Sequence, residues 1–184
     1  MRVLKTDEAY IFEEQKETLK LLFKSIDMTK VVIVGGIADY LNLRNYFNLP
    51  VHDIDIAYKD EADLQKVIDL IGVKRYYSKF YEFDQPKVLV TNFVINNKPV
   101  HIDFFNKRFT HNSIAKSMLL GQEVRHASFE TMKQFHNTQI SKLTSEALGN
   151  SYEWKRLYKH SKKASLYNLI TYQKNKIEKE LVYE

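Results

Sequence analysis

Val31–Tyr58 reads VVIVGGIADYLNLRNYFNLPVHDIDIAY. Val31–Val34 is too short for a helix and rich in β-branched residues, which marks a buried strand. Gly35-Gly36 then turns the chain, and Ile37 to about Phe47 reads as a helix carrying Ile37, Tyr40, Leu41 and Tyr46. Asn48-Leu49-Pro50 ends that helix, because the residue before a proline is driven out of the αR region. Asp53–Tyr58 follows as a second strand, with Ile54 and Ile56 on one side and Asp53 and Asp55 on the other. Carboxylates two residues apart on a strand share a face with Cα atoms roughly 7 Å apart, so both can approach one divalent cation. A glycine turn ahead of a helix leaves backbone N–H groups available to a phosphate. Strand, glycine turn, helix and acidic strand together point to chemistry on a metal-bound polyphosphate.

Upstream, Glu8 to Ile26 places Ile11, Leu19, Leu22, Phe23 and Ile26 at helical spacing, an amphipathic helix laid on a core. Downstream, a helix opens near Asp60 with Leu64, Val67, Ile68 and Ile71 as its stripe and Gly72 as its stop. Val73–Tyr77, Phe80–Phe83 and Val88–Ile95 read as β-strands, and Asn96-Asn97-Lys98 turns the last of them into Pro99–Phe105 as a hairpin. In that strand Val100, Ile102 and Phe104 share one face, and His101, Asp103 and Phe105 share the other. Asp103 thus sits, like Asp53 and Asp55, on a strand whose opposite face is apolar.

Beyond Phe105 the pattern turns helical. His111–Leu120 reads as a short amphipathic helical segment, Glu123–His126 as a short strand, and about Phe129–Leu143 as a helix after Ser128. Two further helices, about Tyr152–Tyr158 and about Ala164 to the end, follow Gly149-Asn150. No repeat, low-complexity segment or linker interrupts the chain. The expectation is an α+β fold: a mixed β-sheet flanked by helices, with a helical C-terminal segment. It forms one domain, with its core at about 8–126 and its helical part at about 127–184.

With 44% hydrophobic residues in 184, the chain can bury a real core and is not of the disordered class. The absence of cysteine excludes disulfides, zinc–thiolate centres and thiol nucleophiles. The first residues run directly into charge without an apolar stretch, and no run approaches the roughly 20 apolar residues of a membrane span. A cytoplasmic protein with neither signal peptide nor membrane contact is expected. The formal charge of +5 favours acidic partners such as nucleotides, phosphorylated metabolites or nucleic acid.

Asp-x-Asp by itself commonly marks surface charge on a strand. Joined to the Gly-Gly turn and to a third acid on a later strand, it forms a much rarer constellation. Three carboxylates at one site suit two divalent ions that hold a nucleoside triphosphate and activate an incoming hydroxyl. Mg²⁺ fits, since it takes oxygen ligands from a few carboxylates, phosphates and waters.

The Gly35-Gly36 turn, Asp53-Ile54-Asp55 with sixteen residues between Gly36 and Asp53, and Asp103 within Val100-His101-Ile102-Asp103-Phe104 resemble the nucleotidyltransferase superfamily with the polymerase-β-type palm. Gly-Gly-x-Ala followed by Asp-Ile-Asp is most similar to small bacterial members, the antibiotic nucleotidyltransferases and the abortive-infection toxin-type transferases. The resemblance covers roughly residues 31–105. It implies that Asp53 and Asp55 bind metal, that Asp103 binds metal or acts as general base, and that Gly35 and Gly36 contact the triphosphate. It also implies Mg²⁺, a nucleoside triphosphate such as ATP as donor, and an acceptor left open among a small molecule, an RNA and a protein.

The chain departs from the family in having a second glycine where many members place a serine. The acidic motif that toxin-type relatives carry further on is not evident in Tyr158–Lys163. In relatives the helix after Ser128 carries a phosphate-binding lysine, for which Lys133 and Lys142 are the nearest candidates here. Arg44 could reach a phosphate or lie exposed on its helix, while His52 and His101 read as solvent-facing or structural. Lys155, Arg156, Lys159, Lys162 and Lys163 read either as a solvated helix face or as a site for RNA or another anion. Two other readings stay open. One is an Asp-x-Asp sugar-nucleotide transferase, which leaves the Gly-Gly turn unexplained. The other is an inactive module of the same fold that binds RNA or a protein through its basic C-terminal helices.

Overall fold

The structure, a computed structural model, describes residues 13–25, 27–51, 53–58, 76–79, 88–95, 98–106, 109–147 and 151–182. It divides into two compact units, Met1–Ser128 and Phe129–Glu184. The first is α+β. Helix α1 (Glu13–Ser25) precedes β1 (Val32–Val34), α2 (Gly35–Leu43) and β2 (Ile54–Tyr58). Strands β3 (Tyr76–Lys79), β4 (Val88–Ile95) and β5 (Lys98–Asn106) follow, then a 3₁₀ turn (His111–Ser113), β6 (Ile114–Leu119) and β7 (Gln122–Ala127). The helix expected near residues 60–71 lies outside the described residues, as do the turn residues Asn96 and Asn97 and the whole run Phe80–Phe83.

Among the described residues seven strands form one mixed sheet in the order β3-β4-β5-β2-β1-β7-β6. The expected β4–β5 hairpin is present, closed by the pair Ile95↔Lys98. Strand β2 runs parallel to β5 and antiparallel to β1, and β1 runs parallel to β7. Alternation along these strands sorts their side chains. Ile33, Ile56 and Phe104 line up across β1, β2 and β5, as do Ile54 and Ile102 across β2 and β5. All five are essentially fully buried, in one cluster with Leu19 and Leu22 of α1 and Ile37 and Tyr40 of α2. Each such aliphatic side chain contributes about 1.5–3 kcal/mol by leaving water, so the apolar row sets which way the opposite row must face.

Two segments differ from the sequence expectation. His111–Leu120 is a 3₁₀ turn followed by a strand rather than an amphipathic helix. β6 pairs with β7 through the two-residue loop Leu120-Gly121, both at positive φ (49° and 79°). That backbone twist suits a tight antiparallel hairpin, and Gly121 adopts it without strain. The two helices expected after Asn150 are one continuous helix, α4 (Ser151–Val182), following α3 (Phe129–Glu146). Lys159–Lys163 interrupts the apolar pattern but contains neither glycine nor proline, so nothing stops the helix.

The second unit packs α3 on α4 around the fully buried Tyr167, whose ring meets Phe129 edge-on at 4.7 Å. Beside it, His136 Nδ1 and His160 Nδ1 are 2.9 Å apart, with the Phe135 ring edge-on to both. This contact accommodates one proton between the two nitrogens. Burial, then the neighbouring His136 and the cations Lys163, Lys159 and Arg156, hold the His160 pKa down at about 4 against an ordinary 6.5. A histidine with a depressed folded-state pKa binds more protons when unfolded, so its stabilisation is whole above about pH 6.5 and drains away as pH falls towards 4. The chain should therefore lose on the order of 1 kcal/mol, a few degrees of melting temperature, between pH 7.5 and pH 5. His160→Gln should flatten that slope in melts followed by circular dichroism; an equal acid sensitivity in the variant would place it elsewhere.

Candidate active site

The sheet register brings Asp55 and Asp103 together. Val34 pairs with Asp55 across β1 and β2, and Asp55 pairs with Asp103 across β2 and β5. Adjacent strands lie about 4.8 Å apart, and side chains in register share a face, so the two carboxylates stand next to each other. Both are half-buried. Asp53 lies immediately before β2 and is exposed.

Over this acidic row the chain turns from β1 into α2. Gly35 is the first residue of the helix and has φ +59°, a left-handed conformation that costs other residues strain. A Cβ built there would lie 1.8 Å from Asp55 Oδ2 and 2.6 Å from Asp55 Cγ. The missing side chain thus lets the helix start rest directly on the Asp55 carboxylate. Gly36 is different: a Cβ there would meet nothing closer than the Asp53 carbonyl oxygen at 3.9 Å, ordinary contact distance. The close approach that demands glycine is at Gly35, and Gly36 has room for a serine.

The far end of α2 is tied down separately. Arg44 sits about 13 Å along the helix from Gly35. Its Nη1 donates to the Met118 carbonyl at 3.1 Å, and its guanidinium lies 5.9 Å from the Tyr40 ring centroid. Asn42 Nδ2 donates to the Ala127 carbonyl at 3.0 Å. His126, buried on β7, contacts Ser117 Oγ through Nε2 and the Ala127 carbonyl through Nδ1, each at 2.9 Å. Burial lowers the His126 pKa, the bond to Ala127 opposes that shift, and the Arg44 charge adds to it. Arg44 thus serves as an anchor between α2 and the β6–β7 hairpin, a task with no signal in the sequence because the carbonyl it meets is 74 residues away.

Lys133 and Lys142 belong to the second unit, on α3. Lys133 Nζ donates to Thr171 Oγ1 at 3.0 Å, and Lys142 lies 3.9 Å from Glu146 on an exposed surface. Asp39, one turn beyond Gly35 on α2, is only 1% exposed, and no motif marks an aspartate between Ala38 and Tyr40. His52 lies outside the described residues.

Among the described residues no group of three or more histidine, aspartate or glutamate side chains is arranged to hold a metal ion. A hard cation such as Mg²⁺ does not require one, since it binds through one or two carboxylates and completes its shell with phosphates and water. In donor chemistry, the adjacent Asp55 and Asp103 fit that cation, and Asp53 lies two residues before Asp55 in the chain. Among the described residues no helix is long and apolar enough to cross a membrane.

No protein-family model and no curated protein matches the chain. Among solved structures it is similar to TM1012 from Thermotoga maritima, a protein provisionally described as a nucleotidyltransferase. That likeness has a TM-score of 0.53 and 17% identity, and it covers 77% of this chain and 94% of the other. JHP933 from Helicobacter pylori is more distant, with a TM-score of 0.44 and 13% identity over 71% of this chain and 57% of its own. The chain has a nucleotidyltransferase-like fold.

Proposed function

We propose that the protein is a Mg²⁺-dependent nucleotidyltransferase that moves a nucleoside monophosphate from a nucleoside triphosphate to a hydroxyl or phosphate acceptor, releasing pyrophosphate in the cytoplasm. The observation that carries the reading is the in-register pair Asp55–Asp103, with the glycine start of α2 seated on Asp55. Asp53 and Asp55 would hold the cation, and Asp103 would complete the site. When bound, Mg²⁺ neutralises the charge of the triphosphate and of the leaving pyrophosphate.

The chain's own groups do the rest. The first N–H groups of α2 are not used within the helix and carry the positive end of its dipole, so Gly35 and Gly36 present donors to phosphate oxygens. Asp103 takes the proton of the acceptor hydroxyl as its oxygen bonds to the α-phosphorus and the bond to the β-phosphate oxygen breaks. The backbone of Asp55 is held between β1 and β5 with Gly35 close to its carboxylate, which would help to keep it on that line.

NTP-dependent pyrophosphate release should fall at least about 100-fold in Asp53→Asn/Asp55→Asn, and NTP with Mg²⁺ should raise the melting temperature of the wild type but not of the variant. An unchanged rate in the double variant would rule the mechanism out. Gly35→Ala should cost about 1–3 kcal/mol, or several degrees of melting temperature, because both its conformation and the Asp55 carboxylate oppose a side chain. Gly36→Ser should melt within about 2 °C of wild type, its Cβ having ordinary contacts. Equal losses at the two positions would contradict the close approach at Gly35.

A further inference from the structure

Helix α4 carries eight lysine and arginine residues against three glutamates, a surplus equal to the formal +5 of the whole chain. The rest of the sequence is therefore neutral, and the basic character resides on one element. No acidic residue occurs from Trp154 to Ile177, a span of about 36 Å along the axis. The inner face of the helix is used for packing, through the buried Ala164, Tyr167 and Ile170. The opposite face holds large aromatic side chains in water: Trp154 is 52% exposed, Tyr158 71% and Tyr172 69%. By helical angle these three share a stripe with Lys162, flanked by Lys155 and Lys159, all three lysines exposed.

We propose that this outer stripe of α4 binds single-stranded nucleic acid without sequence preference, through its phosphodiester backbone and the faces of its bases. Aromatic platforms set among cations are what such binding needs, since every base has a π-face that stacks and every linkage carries a charge. Trp154 and Tyr158 are one turn apart, about 6 Å along the axis, with Lys155, Lys159 and Lys162 within a turn of them. Arg156, paired with Glu153 at 3.0 Å, and Lys174, 5.1 Å from the Phe129 ring centroid, serve the fold instead. A membrane-surface helix would need a continuous apolar face, whereas Lys162, Ser165 and Lys176 interrupt this one. A protein interface would be poor in lysine at its centre.

Trp154 is the only tryptophan in the chain, so its fluorescence reports on this stripe alone. Titrating the full-length protein with an oligouridylate dodecamer at low salt should quench that fluorescence, and an oligothymidylate dodecamer should do likewise. A duplex of the same length, whose bases are already stacked, should not. Lys155→Gln/Lys159→Gln/Lys162→Gln should lower the slope of log affinity against log salt by about 2, and Tyr158→Ala should weaken binding about tenfold. Asp55→Asn should bind as the wild type does, which separates this surface from catalysis. The proposal is overturned if the single strand neither quenches nor binds, or if the lysine and tyrosine variants bind unchanged. It also fails if duplex quenches as strongly, or if phosphatidylserine vesicles quench while oligonucleotides do not.

Discussion

The register between β2 and β5 is the constraint on which the first unit depends. Strand side chains alternate with a period of two, so sliding either strand by one residue would exchange its faces. Here the register sets Ile56 beside Phe104 and Asp55 beside Asp103. Two ionised carboxylates brought side by side repel. The apolar row on the other face supplies the driving force: Ile33, Ile54, Ile56, Ile102 and Phe104 leave water only in this register. Hydrophobic burial on one side of the sheet thereby fixes acid placement on the other.

Helix α2 is held at both ends by different physics. Its start is positioned by a missing side chain, because only glycine at position 35 lets the backbone approach the Asp55 carboxylate. Its end is positioned by hydrogen bonds to carbonyls of the β6–β7 hairpin, from Asn42 to Ala127 and from Arg44 to Met118. A helix tethered at its far end cannot pivot about its first turn. The first turn of the helix, whose N–H groups have no partner within the helix, is therefore held in place beside the acidic row.

The second unit separates structure from surface chemistry along one helix. The inner face of α4 spends its aromatic and imidazole groups on packing, with Tyr167 and the His136–His160 contact beside it. The outer face leaves lysines and aromatics in solvent, where their charge and π-faces remain available. Concentrating the positive surplus there keeps the rest of the chain neutral, so an anionic polymer would be drawn to one surface rather than to many.

Periodicity in the sequence determined much of this: the buried β1, the helix after the glycines, the β4–β5 hairpin and the inward row of isoleucines are all local patterns of period 2 or 3.6. It failed where one pattern serves two structures. Ile114–Leu119 has apolar residues at both strand and helix spacing, and only pairing with β7 through Leu120-Gly121 selects the strand. Lys159–Lys163 breaks the apolar stripe of α4 without breaking its backbone, so composition could not show that the helix continues. The residue types of the site, Gly35-Gly36, Asp53, Asp55 and Asp103, were legible because their spacing is unusual. What only the tertiary structure decided is which of them meet. Asp55 and Asp103 are 48 residues apart and become neighbours through a parallel pairing, and the need for glycine falls on position 35 rather than 36. Local sequence encodes the faces of each strand, but contact between distant strands is set by the burial that joins them.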